Sequence, residues 1–103
     1  MKLSINHEIF RHITNSPEYY SRGDLLFQYR SCDDNYIGFV LPKRLGAAHK
    51  RNKFKRRCRA LFQSMHSKTE LNKIGIIIKT RSIDVPYRSI HQMFNQFYQN
   101  IES

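Results

Sequence analysis

The chain has 103 residues and a formal net charge of +10, because 18 lysines and arginines stand against eight acidic residues. This length provides for one hydrophobic core, so we predict a single domain over residues 1–103. Hydrophobic residues make up 40% of the chain, which excludes general disorder. The excess of positive charge predicts a polyanion as the partner.

Two cysteines, Cys32 and Cys58, are too few for the disulfide framework of a small secreted domain, and we expect both to be reduced thiols. The first residues lack the apolar run of a secretory signal. No segment reaches the roughly 20 apolar residues that a membrane span requires. These features predict a cytoplasmic protein.

The amino-terminal half of the chain predicts one helix and two strands. A short helix capped by Ser4 is expected to run to about Thr14. Residues 24–30 alternate in polarity and residues 36–41 are rich in strand formers, so each segment predicts a strand. The intervening residues 31–35 are typical of a hairpin loop. The apolar face of the helix consists of Ile5, Ile9, Phe10 and Ile13.

A long helix is predicted from about Ala47 to Ser67, after a connection bracketed by Pro42 and Gly46. Apolar residues recur along it at steps of four, three and four, which predicts one stripe facing the core. We expect the rest of this helix to face solvent or a partner. The stripe consists of Phe54, Cys58, Leu61 and Met65.

The last third of the chain predicts a strand and a helix. The run IGIIIK at residues 74–79 is typical of a central strand buried on both faces. Pro86 suits the first turn of a final helix from Tyr87 to about Ile101. The predicted fold is α+β, with a small mixed sheet packed with helices in the order α-β-β-α-β-α. The general rule favours a right-handed strand, helix, strand crossover. The apolar face of the final helix consists of Ile90, Phe94, Phe97 and Ile101.

Half of the positive charge, nine of 18 cations, lies in residues 43–59, and no acid occurs between Asp34 and Glu70. Like charges repel along a helix, and a bound polyanion would offset that cost. Arginine offers a planar fork of donors for phosphate, and Asn52 adds both a donor and an acceptor. The residues predicted to bind this polyanion are Lys43, Arg44, Lys50, Arg51, Asn52, Lys53, Lys55, Arg56 and Arg59.

Four other interpretations of this basic helix remain open. It could be a solvated face without a specific ligand, or it could bind an anionic membrane surface. A ribosomal or other structural RNA-binding protein would carry the same kind of helix. A DNA-binding regulator is a further class, although the chain lacks the paired short helices of a helix-turn-helix motif.

Residues 41–62, LPKRLGAAHKRNKFKRRCRALF, resemble the signature of the bacterial ribonuclease P protein component. The strands LLFQY, IGFV and IGIIIK around this motif are similar to the family's elements. Lys53 departs from the signature where a second arginine is usual, and Ala47 stands where asparagine is common. The residues that the resemblance places on the family's RNA-binding helix and its approach are Lys43, Arg44, Gly46, Ala48, Arg51, Asn52, Lys55, Arg56 and Arg59.

This resemblance implies the accessory protein subunit of an endoribonuclease that removes the 5′ leader from precursor tRNA. The catalytic site would lie in the RNA subunit, and the protein alone would not be catalytic. The implied partners are the catalytic RNA, with one protein per RNA, and precursor tRNA. Magnesium would belong to the assembled particle, with no ligand assignable to this chain. The resemblance also implies a left-handed crossover in place of the right-handed default.

The resemblance further implies a cleft that holds the single-stranded 5′ leader. Phe10 and Tyr29 match aromatic residues of that cleft, whereas Asn6 stands where another phenylalanine is usual. Aromatic faces suit unstacked bases because every base offers a π-face. The alternative is that Phe10 and Tyr29 are ordinary core residues.

No catalytic or metal-binding residue is predicted in the chain itself. The histidines have neither zinc-site spacing nor a nucleophile beside them in sequence, and we expect them on the surface. The adjacent pair Asp33 and Asp34 is typical of a turn. The histidines are His7, His12, His49, His66 and His91.

Overall fold

The computed structural model of the protein describes residues 5–102. These residues form a mixed sheet with helices on both of its faces, which confirms the predicted α+β fold. The elements in chain order are α1 (His7–Thr14), β1 (Glu18–Arg22), β2 (Leu25–Ser31), β3 (Tyr36–Val40), a 3-10 turn (Lys43–Leu45), α2 (Ala48–His66), β4 (Ile74–Thr80) and α3 (Tyr87–Glu102).

The strands lie in the order β1-β2-β4-β3. The first two pairings are antiparallel, and β3 pairs with β4 in parallel. The prediction of a buried central strand is confirmed, because β4 has neighbours on both sides and the side chains of Ile76, Ile77 and Ile78 are fully buried. Since α2 joins β3 to β4, the expected β-α-β unit is present. Its left-handed crossover stays a prediction from the resemblance.

The predicted hairpin between β2 and β3 is wrong, because β4 is inserted between them. The connecting loop bonds to the start of β4 instead. The Cys32 backbone N–H donates to the Lys73 carbonyl at 3.1 Å, and the Ile74 N–H donates to Asn35 Oδ1 at 3.0 Å. The central position buries the most apolar strand on both faces, which a simple hairpin would not achieve.

Strand β1 was absent from the predicted order. It forms a hairpin with β2 through Gly23 and Asp24, and Gly23 has a φ of +58° that favours glycine. The sequence of this strand, EYYSR, lacks the alternation of apolar and polar residues that indicates a half-buried strand, and the strand is indeed mostly exposed. For this reason the sequence pattern did not predict it. The Gly-Asp pair before β2 is the signal that indicates this two-residue turn.

The sheet has two unlike faces. One packs against α2 and α3, where the rings of Phe27 and Phe97 stack with centroids 4.4 Å apart. The other contacts α1, whose Ile13 side chain occupies the space that a Cβ at Gly75 would need. Arg30 fastens the end of α1, because its Nη1 donates to the His12 carbonyl at 2.9 Å.

The predicted helices are present with small differences at their ends. Asn6 caps α1, accepting a hydrogen bond from the Ile9 N–H at 2.9 Å, and the predicted cap Ser4 lies outside the described residues. The prediction that only the stripe of α2 faces inward is wrong, because Phe62 and His66 are also buried. The buried arc of α2 is wider than the stripe because both the sheet and α3 pack against it. Met93 and Tyr98 likewise widen the apolar face of α3.

Candidate nucleic-acid interface

Gly46 shapes the approach to α2. Its φ is +154°, and a Cβ added there would lie 2.9 Å from Cδ1 of Ile83. The 3-10 turn before it is closed by hydrogen bonds from the Leu45 and Gly46 N–H groups. This turn leaves the side chains of Lys43 and Arg44 exposed in front of α2. Gly46 is therefore needed because a side chain there would clash with Ile83. Lys43 and Arg44 are accessible to a ligand.

Arg51 joins the turn to the helix. Its guanidinium Nη1 donates to the Gly46 carbonyl at 2.7 Å, and its side chain is half-buried. The first turn of α2 lacks a side-chain cap at Ala47. Arginine has five N–H donors, so this internal bond leaves others for a ligand. Arg51 thus supports the fold locally while it remains able to bind a phosphate.

The other predicted binding residues cover the outward side of α2 and its approach. Lys55 is half-buried, like Arg51. The stretch from Asn35 to Thr69 contains no acid, so these cations have no acidic neighbour along the helix. The structure therefore brings the predicted set together on one basic surface. The exposed members are Lys43, Arg44, Lys50, Asn52, Lys53, Arg56 and Arg59.

Two arginines of α2 lie over aromatic rings on its opposite flanks. The guanidinium carbon of Arg59 is 5.4 Å from the ring centroid of Phe39 in β3. That of Arg57 is 5.7 Å from the ring centroid of Tyr87 in α3. Such contacts hold the planar groups in place, since a cation is attracted to the ring face. Arg57 was counted among the cations of the sequence but was not predicted as a binding residue.

Phe10 and Tyr29 lie on opposite sides of the sheet. The Tyr29 ring packs edge-to-face on Phe97 at 5.2 Å, and its register partner Ile76 belongs to the core under α2 and α3. Phe10 is half-buried on α1, which contacts the other face. Burial, followed by a hydrogen bond with Glu18, raises the pKa of Tyr29. The leader-binding role of the two rings stays a prediction.

Four of the five histidines are exposed, but the prediction for His66 is wrong because its side chain is buried. Its Nδ1 lies 3.1 Å from Oη of Tyr98, within hydrogen-bond distance. Burial lowers the pKa of His66, although a hydrogen bond with the Asn72 backbone acts in the opposite direction. The sequence signal for this burial was that His66 lies four residues after Phe62, on the same side of α2. Among residues 5–102, no grouping of His, Cys, Asp and Glu side chains could hold a metal ion.

The two cysteines are free thiols, and the burial of Cys58 raises its pKa. In the part of the chain that the structure describes, no helix is long and apolar enough to cross a membrane.

A small α+β domain with a helix covered in cations on its outward side is the arrangement of a basic nucleic-acid-binding protein.

The sequence matches the model of the Ribonuclease P family over residues 2–102, and the chain belongs to this family. Membership of this family implies an RNA partner. No curated protein sequence matches the chain.

Solved structures of bacterial ribonuclease P proteins share the fold. The protein from Thermotoga maritima is 18% identical, with a TM-score of 0.80 and full coverage of both chains. The protein from Staphylococcus aureus is 20% identical, with a TM-score of 0.78 and coverage of 95% of this chain and 93% of that one. A mutant of the S. aureus protein, described as defective in mRNA degradation activity, has the same identity and TM-score, with coverage of 96% and 86%.

Proposed function

We propose that the chain is the protein subunit of ribonuclease P, which binds the catalytic RNA through α2 and assists removal of the 5′ leader from precursor tRNA. The observation that carries this proposal is the exposed basic surface on α2 and its approach, a stretch of the sequence that contains no acid of its own. Family membership supports the subunit assignment. One protein is expected per RNA, in the cytoplasm.

The shape of the basic surface suits a folded RNA better than a flat anionic layer. Lys43 and Arg44 precede α2, while Arg56 and Arg59 follow along the helix, so cations are spread over several turns. Phosphates of a folded RNA approach from more than one direction, and arginine forks can each hold one in bidentate geometry. Asn52 stands among them and offers an amide that can bind a base edge or a 2′-hydroxyl.

The chemistry of leader removal is assigned to the RNA subunit. Magnesium is expected in the assembled particle, where the resemblance to the family assigns it to the RNA subunit. The protein's contribution is positional: it holds the catalytic RNA and the substrate in one particle. We therefore expect the protein alone to leave precursor tRNA intact at any magnesium concentration.

The leader is proposed to contact the half-buried rings of Phe10 and Tyr29. Because the sheet separates the two rings, one nucleotide does not reach both, and each ring would meet a different base of the leader. Asn6 caps α1 in the place where the family usually has a phenylalanine. This chain therefore offers one aromatic ring fewer to the leader than the family pattern.

The binding experiment measures affinity for the RNA that co-purifies with the protein, as a function of salt concentration. Six to eight phosphate contacts predict a log-log slope of roughly −4 to −6 at about 0.7 per contact. Arg56→Ala should weaken binding and make the slope shallower. Lys53→Arg is the matched control, since it keeps the charge and should bind unchanged or more tightly. A native slope shallower than about −2 contradicts the proposal.

The identity of that RNA separates the proposal from its closest alternative. A ribonuclease P subunit should co-purify with a catalytic RNA that cleaves precursor tRNA in magnesium. A structural protein of the ribosome should co-purify with ribosomal RNA instead. RNA-free protein should cleave neither precursor tRNA nor mRNA. The mRNA is tested because the S. aureus mutant is described as defective in mRNA degradation activity. Cleavage by protein freed of contaminating nuclease would contradict the proposal that the RNA subunit carries out the cleavage.

A further inference from the structure

Tyr87 is an exposed aromatic residue at the border of the basic helix. It begins α3, and 46% of its side chain is accessible to solvent. The Arg57 guanidinium lies over its ring, and the ring of His91, one turn further along α3, is 6.3 Å away. The three side chains form a cluster on the flank of α2 that faces α3, which we call the Tyr87 cluster (Arg57, Tyr87 and His91).

The core does not require this ring to be a tyrosine. The neighbouring residues Ile90 and Phe94 supply the buried face of α3 at this end, with 1% and 0% exposure. An exposed cation–π contact contributes only about 0.5–1 kcal/mol to stability. The ring is nevertheless held beside the basic helix by Arg57, so its exposed part is available to stack on an unpaired base.

Two hollows adjoin the Tyr87 cluster. One, with a volume of about 530 Å³, lies between α2 and α3 and is lined by Tyr87 and His91, with the polar side chains of Ser64, Asn95 and Gln99 further along. The second, of about 330 Å³, is lined by the cations Lys50, Lys53 and Arg57, by the acid Asp84 and by apolar residues such as Val85 and Ile90. The Tyr87 cluster thus adjoins both hollows, through Tyr87 and His91 in the first and through Arg57 in the second, where three cations outnumber one acid.

We propose that the Tyr87 cluster is a stacking site for one unpaired nucleobase of the catalytic RNA. The inference rests on the proposed function and extends the RNA interface from the outward side of α2 to α3. The base stacks on Tyr87, and the flanking phosphates bind Lys53 and Arg57 on the same flank of α2. The site takes single-stranded RNA, because the faces of bases within a helix are covered by their stacked neighbours.

The absence of tryptophan from the chain makes a direct test possible. Tyr87→Trp creates a single indole at the proposed site, and Tyr19→Trp creates one at a control position that is 59% exposed on β1. Addition of the co-purifying RNA, without precursor tRNA, should quench the fluorescence of the indole at position 87. The indole at position 19 should keep its emission. Equal quenching at both positions, or none at position 87, overturns the inference.

Affinity measurements separate stacking from electrostatics. Tyr87→Leu should weaken binding of the catalytic RNA about 5- to 140-fold, which corresponds to about 1–3 kcal/mol per stacked base. The salt slope should stay at the native value, because no phosphate contact is lost. Tyr87→Phe should bind as the native protein does, since it keeps the ring. Thermal unfolding must show that Tyr87→Leu stays folded, and if it does not, the Tyr87→Trp fluorescence decides the question.

The outcomes distinguish this site from the wider proposal. If Tyr87→Leu binds the RNA like the native chain while Arg56→Ala binds weakly, the stacking site is wrong and the basic-helix account stands. If the native chain binds no catalytic RNA, both proposals fail. A Tyr87→Leu variant that also has a shallower salt slope contradicts stacking, because the loss then comes from displaced cations.

Discussion

One face of the sheet packs against α2 and α3, and the other contacts α1, a helix of eight residues. The first face has a connected set of rings, in which Phe97 contacts Phe27, Tyr20 and Tyr29. The second has Ile13 against Gly75 and a hydrogen bond from Arg30. The comparison teaches that the apolar packing is concentrated on one face, whereas the proposed ligand contacts, Tyr29 and Phe10, are divided between the two.

The largest expected effect is a loss of stability on the α2 and α3 face. Phe97→Ala should lower the free energy of unfolding by about 3–5 kcal/mol, because it leaves a cavity among the stacked rings. Ile13→Ala, on the α1 face, should cost less because fewer elements close around that side chain. Chemical denaturation measures both. Equal losses would show that α1 contributes as much to the fold as α3 does.

A smaller effect tests whether both faces contact the leader. Phe10→Leu and Tyr29→Leu should each weaken the binding of precursor tRNA to the assembled particle by about 1–3 kcal/mol per lost base contact. Mature tRNA, which lacks the leader, is the control and should bind as before. Tyr29→Leu should also lower stability, because its ring packs on Phe97. Losses that are the same for both RNAs would assign the two residues to packing.

The smallest expected effect is a pH dependence that arises on the α2 and α3 face. Because burial lowers the pKa of His66, the folded state favours neutral imidazole, whereas the unfolded chain binds a proton near pH 6.5. Stability conferred by the neutral form is therefore present above about pH 6.5 and is lost as the pH falls below it. His66→Gln can still bond to Tyr98 and should reduce this loss. Thermal unfolding at about pH 7.5 and 5.5 compares the two proteins, and an unchanged loss in His66→Gln would assign it to other groups.

The sequence predicted the elements whose patterns arise from burial within one segment. The stripe of α2, the isoleucine-rich β4 and the face of α3 are strong local signals, and the structure has all three. The exposed basic surface was also predictable, because the absence of acids over 35 residues, from Asn35 to Thr69, is visible in the sequence itself. Charge patterns of this kind need no knowledge of the fold.

The errors concern relations between distant segments. β2 and β3 are near in sequence, yet β4 separates them, because the most apolar strand takes the position with two neighbours. His66 is buried because α3 returns and covers it through Tyr98, which is 32 residues away. The opposite placement of Phe10 and Tyr29 has the same origin. Which sheet face a helix covers depends on packing among all elements, and no local pattern encodes it.

The central place of β4 also determines when this protein can fold during synthesis. Until the ribosome has delivered residues up to Thr80, β3 has no partner and β2 has only β1. The pairing of Leu25 with Thr80 closes a long loop, and such distant contacts make folding slow. During this interval the α2 segment has been synthesised but has no sheet to pack against, and repulsion among its cations opposes the helical form. The cations of α2 are therefore complete before the sheet that α2 packs against, and anions that screen them should speed the last step of folding.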